Sequence, residues 1–107
     1  MSSSTNVRKY VRIRLPRGTF VAWEYAGERK VSPISVLGLG GLFISTPDPP
    51  PVGNYIKLVF EIPGGDVRGR ARVCDSCTGK GMGIQFITMG QEARARLNRL
   101  IASFAKT

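Results

Sequence analysis

The chain has 107 residues, with 16 Lys and Arg against 7 Asp and Glu, a net charge of +9 and no histidine. That length holds one hydrophobic core rather than two, and 42% hydrophobic residues is a globular rather than a disordered composition. No apolar run reaches the ~20 residues that cross a bilayer, and the start MSSSTNVRKY lacks the apolar centre of a signal peptide. The expectation is a cytoplasmic protein without membrane insertion, whose positive field attracts phosphates, nucleic acid or an acidic protein surface.

Taken in chain order, residues 1–6 read as a flexible tail and residues 7–107 as a single domain built mostly of strands. In GTFVAWEY (Gly18 to Tyr25), Phe20, Ala22 and Glu24 share one face, with Val21, Trp23 and Tyr25 on the other. Ala26 to Glu28 turns the chain and Arg29 to Val36 runs back. Gly40 to Thr46 is a short apolar strand. The run PDPPP, Pro47 to Pro51, must form a surface loop because proline cannot donate to a sheet ladder. Asn54 to Ile62 is the clearest strand, and Pro63 to Asp66 turns it into Val67 to Asp75. There Val67, Gly69, Ala71 and Val73 alternate with Arg68, Arg70 and Arg72, giving one inward and one cationic outward face. Met82 to Thr88 is the last strand. In QEARARLNRLIASF the period changes to that of a helix. Leu97, Leu100, Ile101 and Phe104 form its apolar stripe, with Arg94, Arg96 and Arg99 directed to solvent. Six short strands with Gly/Pro turns and a terminal helix predict a mainly β fold, a small six-stranded antiparallel barrel with a C-terminal α-helix.

Several chemistries can be set aside. Without histidine the chain lacks the usual general base and the commonest metal ligand. Cys74 and Cys77 form a single C-x-x-C pair, half of what a structural zinc site normally needs, and lie between strand-like runs rather than at a helix start. They read as incidental cysteines near a hairpin turn. The acidic residues are scattered. No metal, no catalytic residue and no enzyme are expected.

Two motifs carry the functional signal. The opening RKYVRIRLPRG places Arg8, Arg12, Arg14 and Arg17 close together, either a solubilising edge or a clamp for an anion. Further on, SPISVLGLGGLFI places Ser35 before Gly38, Gly40 and Gly41. Glycine within a strand pattern marks a bulge, a bend or a close backbone approach, and a barrel corner explains it equally well. Together the two segments resemble the PilZ domain, a receptor module for cyclic diguanylate (cyclic di-GMP, c-di-GMP). Arg8-Lys9-Tyr10-Val11-Arg12 matches the family's R-x-x-x-R, and Pro33-Ile34-Ser35-Val36-Leu37-Gly38 matches its D/N-x-S-x-x-G in the serine and the glycine. GLGGLFIST, the proline-rich loop, PVGNYIKLVF, the ARV strand and GKGMGIQF before the helix extend the likeness over about Val7 to Phe104.

The resemblance implies a receptor for cyclic di-GMP whose ligand-binding residues are Arg8, Lys9, Arg12, Ser35 and Gly38. Arginine suits such a ligand because its fork pairs with phosphate oxygens or with guanine O6 and N7, and its face stacks on a base. Arg8 and Arg12 would sit on a mobile amino-terminal segment that closes over the ligand, Ser35 would add a hydrogen bond, and Gly38 would admit close approach. The new position of that segment would be read by a protein effector that the sequence does not identify. The chain departs from the motif at Pro33, which offers no side-chain acceptor where the family has Asp or Asn. The alternative is therefore a degenerate module that binds no nucleotide and acts as a protein adaptor. Nucleic acid is the weakest of the three readings, since aromatic residues are only 8% and sit in apolar strand positions.

Overall fold

The structure is a computed structural model that describes residues 12–15 and 17–105. The tail expected over residues 1–6, together with Arg8 and Lys9, lies outside the described residues.

Seven strands precede one helix: β1 (Arg12–Arg14), β2 (Phe20–Tyr25), β3 (Glu28–Gly38), β4 (Gly41–Ser45), β5 (Tyr55–Ile62), β6 (Gly65–Cys77), β7 (Gly81–Met89) and α1 (Gln91–Ala105). The sheet order is β1-β3-β2-β5-β6-β7-β4, and a further β3–β4 pairing joins its ends. Strands β2 to β7 thus close a six-stranded antiparallel barrel, the expected architecture, and closure removes the free edges that invite aggregation. The three-residue β1 is the addition that sequence reading did not foresee, laid along β3 from outside the ring.

The alternation along the strands decides which face is buried. Val21 and Trp23 of β2, Ile34 and Leu37 of β3, Leu42 and Ile44 of β4, and Ile56, Leu58 and Phe60 of β5 fill the interior. Val67, Ala71 and Val73 of β6 face Met82, Ile84 and Phe86 of β7 in the same core. Completely buried side chains such as Leu37, Ile44 and Ile56 each contribute roughly 1.5–3 kcal/mol of transfer free energy. The Trp23 indole N–H donates to the buried Ser32 hydroxyl at 2.9 Å, which satisfies two polar groups the core would otherwise strand.

Turn chemistry matches turn geometry. Tyr25 pairs with Glu28, leaving Ala26 and Gly27 as a two-residue turn with φ of 53° and 82°. Positive φ at both positions is the type I′ hairpin, whose twist suits the flanking strands. Ile62 pairs with Gly65, so Pro63 and Gly64 form the next hairpin turn, with Gly64 at φ 100°. Proline followed by a positive-φ glycine is the type II combination.

Helix α1 buries Ala93, Leu97 and Ile101, with Leu100 half-buried at the margin; the side chain of Phe104 lies outside what is described. Arg94 and Arg99 are exposed as expected. Arg96 corrects the expectation. It is half-buried, its Nη1 donates to the Asp66 carbonyl at 3.0 Å, and Nη2 lies 3.7 Å from Glu92. The reason is local: Gly65 leaves room for the guanidinium, since a Cβ there would stand 2.8 Å from Arg96 Nε. The helix is thereby pinned to the β5–β6 hairpin.

Candidate functional site

The outer surface of the barrel can be read row by row from the strand registers. One row runs Arg12 (β1), Gly38 (β3), Gly41 (β4), Gln85 (β7) and Arg72 (β6), with Arg12↔Gly38, Gly41↔Gln85 and Gln85↔Arg72 as direct Cα partners. The next outward row runs Arg14, Val36, Phe43, Gly83 and Asp75. The row between them (Ile13, Leu37, Leu42, Ile84 and Val73) points inward and is buried. In the first row two glycines separate Arg12 from Gln85. The result is a trough floored by backbone.

That trough is a cleft of about 570 Å³ lined by Arg12, Ser35, Gly38, Phe43, Asp75 and Gln85 among others. It brings together three of the five residues expected to bind ligand, Arg12, Ser35 and Gly38; Arg8 and Lys9 fall outside the described residues. Arg12 was expected on a mobile segment, and the structure instead holds it in the β1–β3 ladder, exposed and opposite Gly38. A second tie follows directly, the Leu15 N–H donating to the Ser35 carbonyl at 2.8 Å.

Ser35 owes its position to a bulge. Ile34 pairs with Ile44 and Val36 with Phe43, so Ser35 is the extra residue on β3. Bulges re-aim side chains and are common beside binding sites. Cys74 is the matching irregularity across the cleft: Val73 pairs with Ile84 and Asp75 with Gly83, leaving Cys74 as the extra residue on β6. Two bulges on separate strands therefore border one cleft. Pro33, exposed on β3 and paired with Phe20, is not part of its lining.

Gly41 has a structural task of its own. A Cβ there would overlap the Ile84 carbonyl oxygen, so glycine is what allows β4 and β7 to approach. Gly83 differs: an added Cβ would meet only the Asp75 Cβ at 3.5 Å, an ordinary contact.

Phe43, Asp75 and Gln85 are cleft residues that sequence reading missed. Their strands are known locally, but the register joining β4 to β7 and β6 brings together residues distant in sequence, and no local pattern encodes it. Cys74 and Cys77 are both free and exposed, and the Cys74 Sγ lies 3.6 Å from the Gln85 Oε1 and 3.6 Å from the Arg72 carbonyl, alternative acceptors for its single S–H. Among the described residues no group of three or more His, Cys, Asp or Glu could hold a metal ion. Among the same residues no helix is long and apolar enough to cross a membrane.

A different face carries Arg68 and Arg70, whereas Arg72, expected in the same cationic row, stands beside Gln85. Arg29, Glu24, Lys57 and Arg70 are lateral neighbours across β3, β2, β5 and β6, with Lys57 and Arg70 as direct Cα partners. Arg68 leans on Asp66 at 3.7 Å, an exposed pair worth little. This face lines a shallower cleft of about 530 Å³. Trp23, which borders it, is 2% exposed and offers no stacking surface.

A closed six-stranded barrel with an external strand, a terminal helix and a glycine-floored outer cleft defines a small β-barrel module. Residues 6–103 match the family model of the PilZ domain, and the chain belongs to that family. Solved structures with the same fold include YcgR from Escherichia coli in complex with c-di-GMP (TM-score 0.77, 19% identity, 92% of this chain and 46% of that one). They also include the Bacillus subtilis inhibitor of motility MotI/DgrA (TM-score 0.73, 16% identity, 94% and 52%). The PilZ domain of YcgR with c-di-GMP is matched over 92% of both chains, at TM-score 0.68 and 17% identity. The chain thus spans about half the length of the first two proteins and nearly all of the third. No curated protein matches it in sequence.

Proposed function

We propose that the protein is a receptor for cyclic di-GMP that holds the nucleotide in the trough between β1, β3, β4 and β7. The observation that carries this reading is the pairing of Arg12 with Gly38, with Ser35 in the same cleft. The second arginine of one motif and the serine and glycine of the other thus share one site. The complexes of YcgR and its PilZ domain with c-di-GMP support the same ligand class.

The chemistry follows from the donors present. The ligand carries two phosphates and two guanines. The Arg12 guanidinium can fork onto a phosphate or a guanine O6/N7 edge, and the Ser35 hydroxyl adds a neutral hydrogen bond. The backbone floor at Gly38 and Gly41 lets a flat base lie close to the sheet. Arg8 and Lys9, a few residues ahead of Arg12, supply further positive charge, and rearrangement of the N-terminal segment that carries them is the signal an effector protein reads. A shift in that segment converts ligand occupancy into a change of surface. The protein is a binding module and not an enzyme, and its ligand is its only small-molecule requirement.

A non-binding adaptor is the second reading. It is favoured by Pro33 at the motif position and by Phe20 and Val31, which are 51% and 68% exposed on the outer face of β2 and β3. Isothermal titration calorimetry with c-di-GMP, with GTP as control, separates the two. Saturable heat with the cyclic dinucleotide alone supports the receptor; its absence at high ligand concentration leaves the adaptor.

A further inference from the structure

We propose that Asp75, with Gln85 beside it, reads the guanine edge of the nucleotide and thereby supplies the acceptor that Pro33 cannot. This inference rests on the receptor reading given above. Its starting point is a mismatch between the motif and the geometry. The family's acidic position is occupied by Pro33, which is exposed beside Phe20 and outside the cleft. The cleft nevertheless contains one carboxylate, that of Asp75, delivered by a different strand.

Three observations place that carboxylate where a base could meet it. Asp75 follows the bulge at Cys74 and pairs with Gly83, which in turn pairs with Phe43. Gly83 has no side chain, so the gap between Phe43 and Asp75, two strand spacings or about 9–10 Å, is open above the backbone. Phe43 is half-buried and turns an aromatic surface to the same cleft. Finally, Asp75 makes no ion pair with another described residue. It is exposed and available.

Gln85 completes the set of donors and acceptors. Its Oε1 accepts from the Cys74 thiol at 3.6 Å, which leaves its amide N–H groups for a ligand. A guanine edge presents one acceptor, O6, beside two donors, N1–H and the N2 amino group. A carboxylate accepts both donors side by side, and a neighbouring amide N–H donates to O6. Adenine reverses the pattern, with an acceptor at N1 that a carboxylate repels. The cleft is also polar across its width: Arg12 attracts phosphate on the β1 side, whereas Asp75 repels it on the β6 side, so a base and not a phosphate faces Asp75.

The test is a calorimetric titration of c-di-GMP and cyclic di-AMP into the wild-type chain, Asp75→Asn, Asp75→Ala and Pro33→Asp, with thermal unfolding of each. The wild type should prefer c-di-GMP. Asp75→Asn should lose roughly ten- to a hundredfold in c-di-GMP affinity, the value of a bidentate edge contact, while cyclic di-AMP affinity holds or rises. Thermal midpoints should not move, because Asp75 is exposed. Pro33→Asp should change affinity less than either Asp75 variant does. Wild-type affinity and selectivity in Asp75→Asn would overturn the assignment and leave the receptor standing. Equal losses for both nucleotides would also overturn it, by assigning Asp75 a general rather than an edge-reading role. Silence of the wild type towards c-di-GMP would defeat the receptor reading, and this inference with it.

Discussion

Arg12 and Gly38 are direct Cα partners in the β1–β3 ladder, so the arginine of one motif and the glycine of the other line the same cleft side by side. No second arrangement of the described chain is needed to bring them together. The second arginine of the first motif is thus held to the barrel by strand pairing.

Arg12→Ala should therefore weaken c-di-GMP binding without weakening the fold. Arg12 is exposed and its backbone pairing survives truncation. Loss of a hydrogen bond to a charged partner costs about 1.5–3 kcal/mol, roughly ten- to a hundredfold in Kd. Calorimetry and thermal melting of the same variant check both halves.

Gly41 and Gly83 should respond oppositely to alanine. At Gly41 the new methyl overlaps the Ile84 carbonyl, so Gly41→Ala should open the β4–β7 seam and cost several kcal/mol, at the level of overpacked cores or worse. Gly83→Ala meets only ordinary contact, so it should fold normally and lose ligand affinity because it narrows the cleft. Urea denaturation followed by circular dichroism, beside ligand titration, distinguishes these outcomes.

Ala26 sits at φ 53°, a left-handed conformation that costs a non-glycine residue about 1–2 kcal/mol. Ala26→Asn creates the Asn-Gly pair that type I′ hairpins prefer and should stabilise the protein by roughly 0.5–1 kcal/mol, a rise of a few degrees in Tm. Differential scanning calorimetry reads this directly. Binding should be untouched, since the turn is not part of the cleft.

Ser32→Ala should be costly for a serine. It leaves the Trp23 indole N–H buried without its acceptor, a penalty of about 1–3 kcal/mol. Trp23 is the sole tryptophan, so its fluorescence reports both the altered environment and the lower urea midpoint.

Strand alternation made most of the barrel legible in the sequence. Val67, Ala71 and Val73 face inward and Arg68 and Arg70 outward because a pleated chain leaves them no other choice. The motif residues Ser35 and Gly38 were legible through family resemblance. Three things were not. Strand β1 is too short and too arginine-rich to carry a strand pattern of its own, and it exists because β3 offers it a ladder. Arg96 reads as a solvent residue until Gly65 and the Asp66 carbonyl are seen beneath it. The cleft partners Phe43, Asp75 and Gln85 depend on the β4–β7–β6 register and on the bulge at Cys74, both set by barrel closure rather than by any local run of residues.

The most direct test of the cleft is an amide chemical-shift titration of the isotopically labelled protein with c-di-GMP. The account predicts that the largest shifts fall on Gly38, Gly40, Gly41, Gly83 and Gln85, the backbone that floors the trough. Shifts gathered instead around Arg29, Lys57 and Arg70, on the cationic face of β3, β5 and β6, would contradict it.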